Sequence, residues 1–262
     1  MKAEKTYYYS DELNDEFSGV SRETVKVDGK YQYIHKGIIW RAASFIIYRI
    51  IMTPAAYIYM KCKFNIKIVN RRAFKQCKKE GFFLYGNHTQ MPGDGYLPTL
   101  LTFPKRDYVV VNADNISLKG TKTFMEMIGA FTLPNHISGM KNFVRAMKYR
   151  VNEGNGIVIY PEAHIWPYYT GIRPFTAESF AYPVMFNKPV FSFTVTYHKR
   201  KKRRQPVIKV YVDGPLYPKK WKKQKEAQKD LRDAVYDKMC QRAKNSSYIY
   251  VNYIKKENEK KD

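Results

Sequence analysis

Phe82-Phe83-Leu84-Tyr85-Gly86-Asn87-His88-Thr89-Gln90-Met91-Pro92-Gly93-Asp94-Gly95 decides how this chain is read. Its first four residues are an apolar run of strand length. The remainder is polar and rich in turn formers: Pro92, Gly93 and Gly95, with Pro98 just beyond. A buried strand that stops in such a loop, with a histidine and an aspartate past its end, is how α/β folds present chemistry. His88 and Asp94 can meet across one turn. The carboxylate would then fix the imidazole tautomer and stabilise the imidazolium, while the other ring nitrogen takes a proton from a hydroxyl. Taken alone, the stretch also fits a plain loop histidine near an N-capping aspartate.

Outward from this loop, strand and helix signals alternate. Phe64, Ile66 and Ile68 alternate with Asn65 and Lys67, a strand pattern. Arg71 to Glu80 is a charged helical stretch, and Asp107 to Val111 a strand. Residues 116–128 suggest a helix, and Gly129-Ala130-Phe131-Thr132-Leu133-Pro134 a strand closed by its proline. Met140, Phe143, Val144, Met147 and Val151 recur at helical spacing, and Gly154 and Gly156 end that helix. Gly156 to Tyr160 is the next strand, running into Pro161-Glu162-Ala163-His164. Residues 189–197 and 206–213 read as two strands joined at an exposed tip by the basic run Lys199 to Arg204. Residues 221–243 predict an amphipathic helix with Leu231, Val235 and Met239 on one face. This alternation predicts an α/β fold: a mostly parallel central sheet flanked by helices. The chain divides into four segments on the same signals. Residues 1–36 are a polar, Tyr-rich arm with little regular structure, and 37–62 a membrane-interfacial helical segment. Residues 63–244 are the α/β domain, and 245–262 a polar, frayed tail.

The 262 residues suffice for a sizeable core. An aromatic content of 16% excludes a disordered chain. The formal net charge of +24 implies an anionic partner, phospholipid surface or nucleic acid. Three widely spaced cysteines, Cys62, Cys77 and Cys240, argue against a disulfide framework or structural zinc and for a reducing compartment. No apolar signal-peptide core comes after Met1, so the catalytic part is expected on the cytoplasmic side.

Residues 37–61 are long enough to reach across a bilayer core, at about 20 residues. Arg41 and Arg49 lie inside the segment, however, and Pro54 is expected to kink or end its helix. Eight residues apart, the two arginines fall within about 80° of each other on a helical wheel. They can then face phosphate headgroups while Ile, Phe and Tyr enter the acyl region. An in-plane, peripheral or monotopic helix suits this better than a span. A core helix of a soluble protein is the alternative.

Four features now fall in one order: Asn87-His88 through Asp94, Gly129 to Pro134, Tyr160-Pro161-Glu162, and Lys188-Pro189-Val190 leading into an apolar strand. In this the chain resembles the glycerophospholipid acyltransferases, whose best-known members are the bacterial 1-acylglycerol-3-phosphate acyltransferases. The likeness runs from about residue 38 to 215, which makes 63–244 acyltransferase-like. It implies transfer of a fatty acyl group from acyl-CoA or acyl carrier protein to a lysophospholipid hydroxyl, without a covalent enzyme intermediate and without a cofactor. His88 would be the general base and Asp94 its orienting partner. Asn87, Thr89, Gly129, Pro161 and Glu162 would line the substrate, and N–H groups of the glycine-rich loop would stabilise the oxyanion. It also implies anchoring on the cytoplasmic face of the membrane by the N-terminal helix.

The sequence departs from the family pattern in three places. Five residues separate His88 from Asp94, one more than in the family. Pro134-Asn135-His136 lacks the arginine that binds the acceptor phosphate there, and Ala163-His164 comes after Pro161-Glu162 where a glycine is usual. On charge alone, Arg173 or Arg145 is the candidate replacement for the phosphate contact, with surface solvation as the alternative for both. Glu162 and His164, with His88 and Asp94, are residue types that suit zinc, but their spacing matches no zinc motif and no metal is expected. The Lys199–Arg204 run and Lys219-Lys220-Trp221-Lys222-Lys223 lack a recognition module for bases. A solvated hairpin tip is the simplest reading of the first run; if it has a function, anionic lipid is the expected partner and nucleic acid is not. A non-catalytic basic protein of this fold, binding anionic lipid or nucleic acid, is the competing reading.

Overall fold

The computed structural model describes residues 4–17, 24–117, 120–201 and 203–256. Lys202 of the basic run, Met1 and the last residues of the tail lie outside them. In chain order the elements are β1 (Lys5–Tyr9), α1 (Ile38–Phe45), a π-helical stretch (Ile46–Met52), α2 (Thr53–Phe64), β2 (Lys67–Val69), β3 (Phe82–Gly86), α3 (Leu97–Thr102), β4 (Asp107–Val111) and α4 (Lys122–Met127). Next come β5 (Ala130–Thr132), α5 (Met140–Asn152), β6 (Gly156–Ile159), α6 (Ala181–Phe186), β7 (Val190–His198), β8 (Val207–Leu216), α7 (Gln224–Ala243) and β9 (Val251–Lys255).

Seven strands form one sheet in the order β2-β8-β7-β3-β6-β4-β5. Every neighbouring pair is parallel except β7 with β8. Burial explains the difference. β3 and β6 are apolar runs buried along their whole length, as strands covered on both faces must be. The first half of β8 alternates buried and half-buried residues, which suits an antiparallel strand with one wetter face. One face of the sheet packs Leu84, Phe82 and Phe191 against Met60 and Phe64 of α2 and Leu97 and Leu101 of α3. The other packs Phe83, Tyr85 and Ile157 against Phe143 and Met147 of α5 and Leu231, Val235 and Met239 of α7.

Helical winding continues from Ile38 to Phe64, so Pro54 neither ends nor breaks it. Pro54 lies in the first turn of α2, directly after the wider turns of the π-helical stretch. Arg200 and Arg203, in the loop between β7 and β8, cap the far end of α2 by donating to the Lys63 and Cys62 carbonyls. The stretch Arg71–Cys77 winds as a 3-10 helix rather than an α-helix. In place of one helix over 116–128 there is a 3-10 turn at Ala113–Ile116 and then the short α4.

The arm and the tail differ most from expectation. Residues 5–9 of the arm and 251–255 of the tail are strands, paired in parallel as a separate two-stranded sheet. Each is short, and among the described residues its one strand partner is far away in sequence. The pairing therefore leaves no local periodicity to read.

Candidate active site

The loop after β3 is held from both neighbouring strands. Asn87 continues the sheet ladder with its side chain: its Oδ1 accepts from Val195 N at 2.8 Å and its Nδ2 donates to Val195 O at 3.1 Å. Thr89 is tied to β7 as well, its hydroxyl 2.8 Å from that of Tyr197, which in turn donates to Thr89 O. Both residues are fully buried, so they anchor the loop and do not line a substrate.

Between these anchors His88 turns outward. Its Nδ1 lies 2.7 Å from Asp94 Oδ2, so the additional loop residue does not keep the pair apart. The loop closes on itself: Asp94 N donates to Gln90 O at 2.6 Å, and Gln90 N donates to the same Asp94 Oδ2 at 2.9 Å. The Asp94 side chain is 6% exposed and the imidazole 23%. Burial pushes the Asp94 carboxyl above the usual carboxylate range, with His88 and the Gln90 N–H pulling against it. A carboxylate on Nδ1 selects the tautomer whose Nε2 carries a lone pair. That nitrogen makes no hydrogen bond to any described residue, and an imidazole so held can take a proton from a docked hydroxyl. Three N–H groups of the loop are not free to act as oxyanion donors. The N–H groups of Asp94, Gly95 and Tyr96 are spent on the carbonyls of Gln90, Pro92 and Gly93.

The residues after β6 meet this loop because β6 runs beside β3, with Ile159 level with Tyr85. The Tyr160 ring stacks on the His88 imidazole, centroids 4.6 Å apart, and its hydroxyl donates to Asp94 O at 2.6 Å. Pro161 is half-buried beside it. Glu162 is buried and supports the loop from below: its Oε2 accepts from His88 N at 3.2 Å and its Oε1 from Arg173 N at 3.3 Å. Trp166 N and Tyr168 N donate to the carbonyls of His88 and Thr89. Glu162 forms an ion pair with Arg173, Nε to Oε2 at 3.6 Å, with both side chains fully buried. Burial raises the Glu162 carboxyl and the Arg173 charge pulls it back.

Arg173, Glu162 and Gly129 are not placed as their expected substrate contacts would require. The Arg173 guanidinium is spent inside the protein on the carbonyls of Glu12, Glu162 and His164, and lies over the Trp166 ring. It cannot reach an acceptor phosphate, and Glu162 is as deeply enclosed. Gly129 sits at the wrong end of the sheet. It precedes Ala130, which is level with Val109, Val158 and Leu84, whereas His88 lies past the far end of β3. At φ +100° its hydrogen faces Asp107 O, where a Cβ would lie 2.5 Å away. That position calls for glycine on backbone grounds. Asn135, where the family arginine is missing, binds the arm instead, accepting from Val27 N and donating to Val25 O. Arg145 is exposed on α5. The structure therefore brings together His88, Asp94, Pro161 and Glu162 on buried supports from Asn87, Thr89 and Arg173, and leaves Gly129 outside. Sequence reasoning passed over Tyr160, although its place directly after a buried strand and before Pro161 marked it.

The outer side of the helix 38–64 is apolar and open: Ile38 and Ile39 are over 80% exposed, and Phe45, Ile46, Ile50, Tyr57 and Ile58 are also exposed. Its inner side, Ser44, Tyr48, Thr53, Ala56, Met60 and Phe64, is buried on the domain. By length and composition the helix could cross a membrane. The two expected headgroup contacts differ: Arg41 is exposed, whereas Arg49 donates to the carbonyls of Pro104 and Lys105.

No family model matches the sequence, and no curated protein is significantly similar to it. Among solved structures, the 1-acyl-sn-glycerophosphate acyltransferase PlsC from Thermotoga maritima is similar at a TM-score of 0.58 and 13% identity, over 82% of this chain and 86% of that one. The mostly parallel sheet, its flanking helices and the apolar N-terminal helix together give this chain the fold of that 1-acyl-sn-glycerophosphate acyltransferase.

Proposed function

We propose that the protein is a membrane-associated acyltransferase that moves a fatty acyl group from an acyl thioester, acyl-CoA or acyl carrier protein, to the hydroxyl of a lysophospholipid such as 1-acylglycerol-3-phosphate. The observation that carries this is the 2.7 Å contact of His88 Nδ1 with buried Asp94, beside an imidazole edge that is open. In this reading Nε2 takes the proton of the acceptor hydroxyl as its oxygen attacks the thioester carbonyl. The tetrahedral intermediate collapses with loss of the thiolate, which recovers the proton from the imidazolium. Asp94 holds the tautomer and stabilises the imidazolium between the two transfers.

The helix 38–64 supports an in-plane seat on the cytoplasmic face of the membrane. A helix docked on its own domain from Ser44 to Phe64 is not free to cross a bilayer, while its outer side offers the apolar face that an interfacial helix needs. The net charge of +24 favours an anionic lipid surface.

The test is thiol release from acyl-CoA by the purified protein on anionic vesicles, across a panel of lysophospholipids, with His88→Ala alongside. Release that needs one acceptor and falls by about 10²–10⁴-fold in His88→Ala is expected. Equal rates in wild type and variant would overturn the assignment of the base. Failure with every acceptor, for both acyl-CoA and acyl carrier protein, would overturn acyl transfer itself.

A further inference from the structure

We propose that Tyr160 is a positioning residue for the His88–Asp94 pair, holding one member with its ring and the other with its hydroxyl. Its effect on rate rests on the proposed acyl transfer; its effect on the imidazole does not.

The ring planes of Tyr160 and His88 are 22° apart at a centroid distance of 4.6 Å, so the tyrosine covers one face of the imidazole. The Tyr160 ring is itself fixed at right angles to Phe193 of β7, at 5.9 Å. A ring wedged between a strand and an imidazole restricts rotation of that imidazole about its side-chain bonds. The hydroxyl acts on the other partner. It donates to the main-chain carbonyl of Asp94, not to its carboxylate, and so leaves Oδ2 to His88 and Gln90 N.

This second contact matters because of the loop's length. Five residues separate His88 from Asp94, and Met91, Pro92 and Gly95 are exposed. Asn87 and Thr89 tie the first limb of the loop to β7. Along the second limb, residues 91–95, the main-chain hydrogen bonds stay within the loop. Among the described residues the Tyr160 hydroxyl is the one hydrogen bond that fastens that limb to the sheet. Burial keeps this phenol far above its ordinary pKa, so it remains a neutral donor. Asp94 is thus held at hydrogen-bond distance in a loop long enough to let it drift.

Two variants separate the two contacts: Tyr160→Phe keeps the ring and removes the hydroxyl, and Tyr160→Leu removes both. The full chain carrying ¹⁵N-labelled histidine gives a readout independent of turnover, the resonance of the His88 Nδ1 proton held by Asp94. In Tyr160→Phe that resonance is expected to broaden through exchange with water, with the thermal unfolding midpoint close to that of wild type. Acyl transfer by Tyr160→Phe should fall about tenfold in kcat with KM within about twofold, and by Tyr160→Leu about a hundredfold. A sharp, unshifted Nδ1 proton and unchanged kcat in Tyr160→Phe would overturn the proposal, whether or not Tyr160→Leu folds. If wild type transfers no acyl group, the acyl-transfer reading falls alone. The Nδ1 proton then decides: its loss in Tyr160→Phe supports positioning, and its persistence overturns it.

Discussion

Asp94 is placed where two demands oppose each other. An anion on Nδ1 is what makes His88 a base, yet the anion is buried and its Oδ1 has no partner among the described residues. Burial raises its pKa and the imidazole lowers it, and protonation of Asp94 would remove the anion that holds the His88 tautomer. Asp94→Asn keeps the shape and discards the charge, and an amide can donate toward Nδ1 and select the wrong tautomer. We expect kcat to fall by on the order of 10²–10⁴-fold with KM little changed, measured by thiol release. Glu162 fails differently. Glu162→Gln leaves the Arg173 guanidinium buried without its counter-charge, which costs about 3–5 kcal/mol of folding stability. Urea unfolding would register that loss. A variant with full stability but no activity would mean that Glu162 faces substrate after all. His88, Asp94 and Glu162 were legible in sequence because each lies just past a strand signal. The burial of Asn87, Thr89 and Arg173 was not legible, since a polar residue in a loop gives no sign of whether a neighbouring strand will satisfy it.

The helix 38–64 meets the domain around Asp107, at the start of β4. Tyr48 lies against the Asp107 main chain, Thr102 donates to Oδ2 at 2.5 Å, and Oδ1 has no partner among the described residues. Burial pushes this carboxyl to about 7, against the pull of Arg49 and Lys105. Unfolded, it titrates near 3.9. Between those values the folded protein holds a proton that the unfolded chain gives up. The contribution to stability is therefore complete below about pH 4 and is lost as pH rises through 7. Asp107→Asn should gain on wild type across that window, by on the order of 4 kcal/mol at most, and no further above it. Thermal unfolding at pH 4, 6 and 8 tests this; a gap independent of pH would mean that Asp107 ionises normally. On the outer side, Ile46→Asp with Ile50→Asp changes exposed residues only. Flotation on anionic vesicles should be lost while the unfolding temperature holds. Unchanged flotation would move the membrane contact off this helix. The helix announced itself by length and apolar content, but continuous winding through Pro54 did not, because the π-helical stretch that precedes it has no sequence signature. β3 and β6 were readable because strands covered on both faces must be apolar throughout, and β7 by its run of β-branched and aromatic residues.

At the scale of the whole molecule, segments from both ends of the described chain pack against residues 164–173, which follow Glu162. β1 and β9 pair, and the cluster between them reaches the residues after Glu162: Trp166 stacks on Tyr253 at 4.9 Å and meets Phe17 and Tyr9. Trp166 Nε1 donates to Asp15 O, Arg173 to Glu12 O, and His164 pairs with Glu16 at 2.7 Å. Neither end showed this in sequence. The β-forming residues were present in Lys5 to Tyr9 and in Val251 to Lys255, yet a strand with no neighbour in sequence reads as a polar arm or a frayed tail. If the ends and the loop are one cooperative unit, disturbing the middle should loosen both. Trp166→Ala removes a large buried aromatic, worth about 3–5 kcal/mol where the site cannot collapse. Hydrogen exchange is then expected to quicken together at residues 5–9, 161–173 and 251–255, while β3 and β6 keep their protection. Acyl transfer should fall as well, because His88 N rests on Glu162 and Glu162 on Arg173. Exchange that quickens only at 161–173 would show the β1–β9 pair to be stable without the loop and would overturn the single cooperative unit.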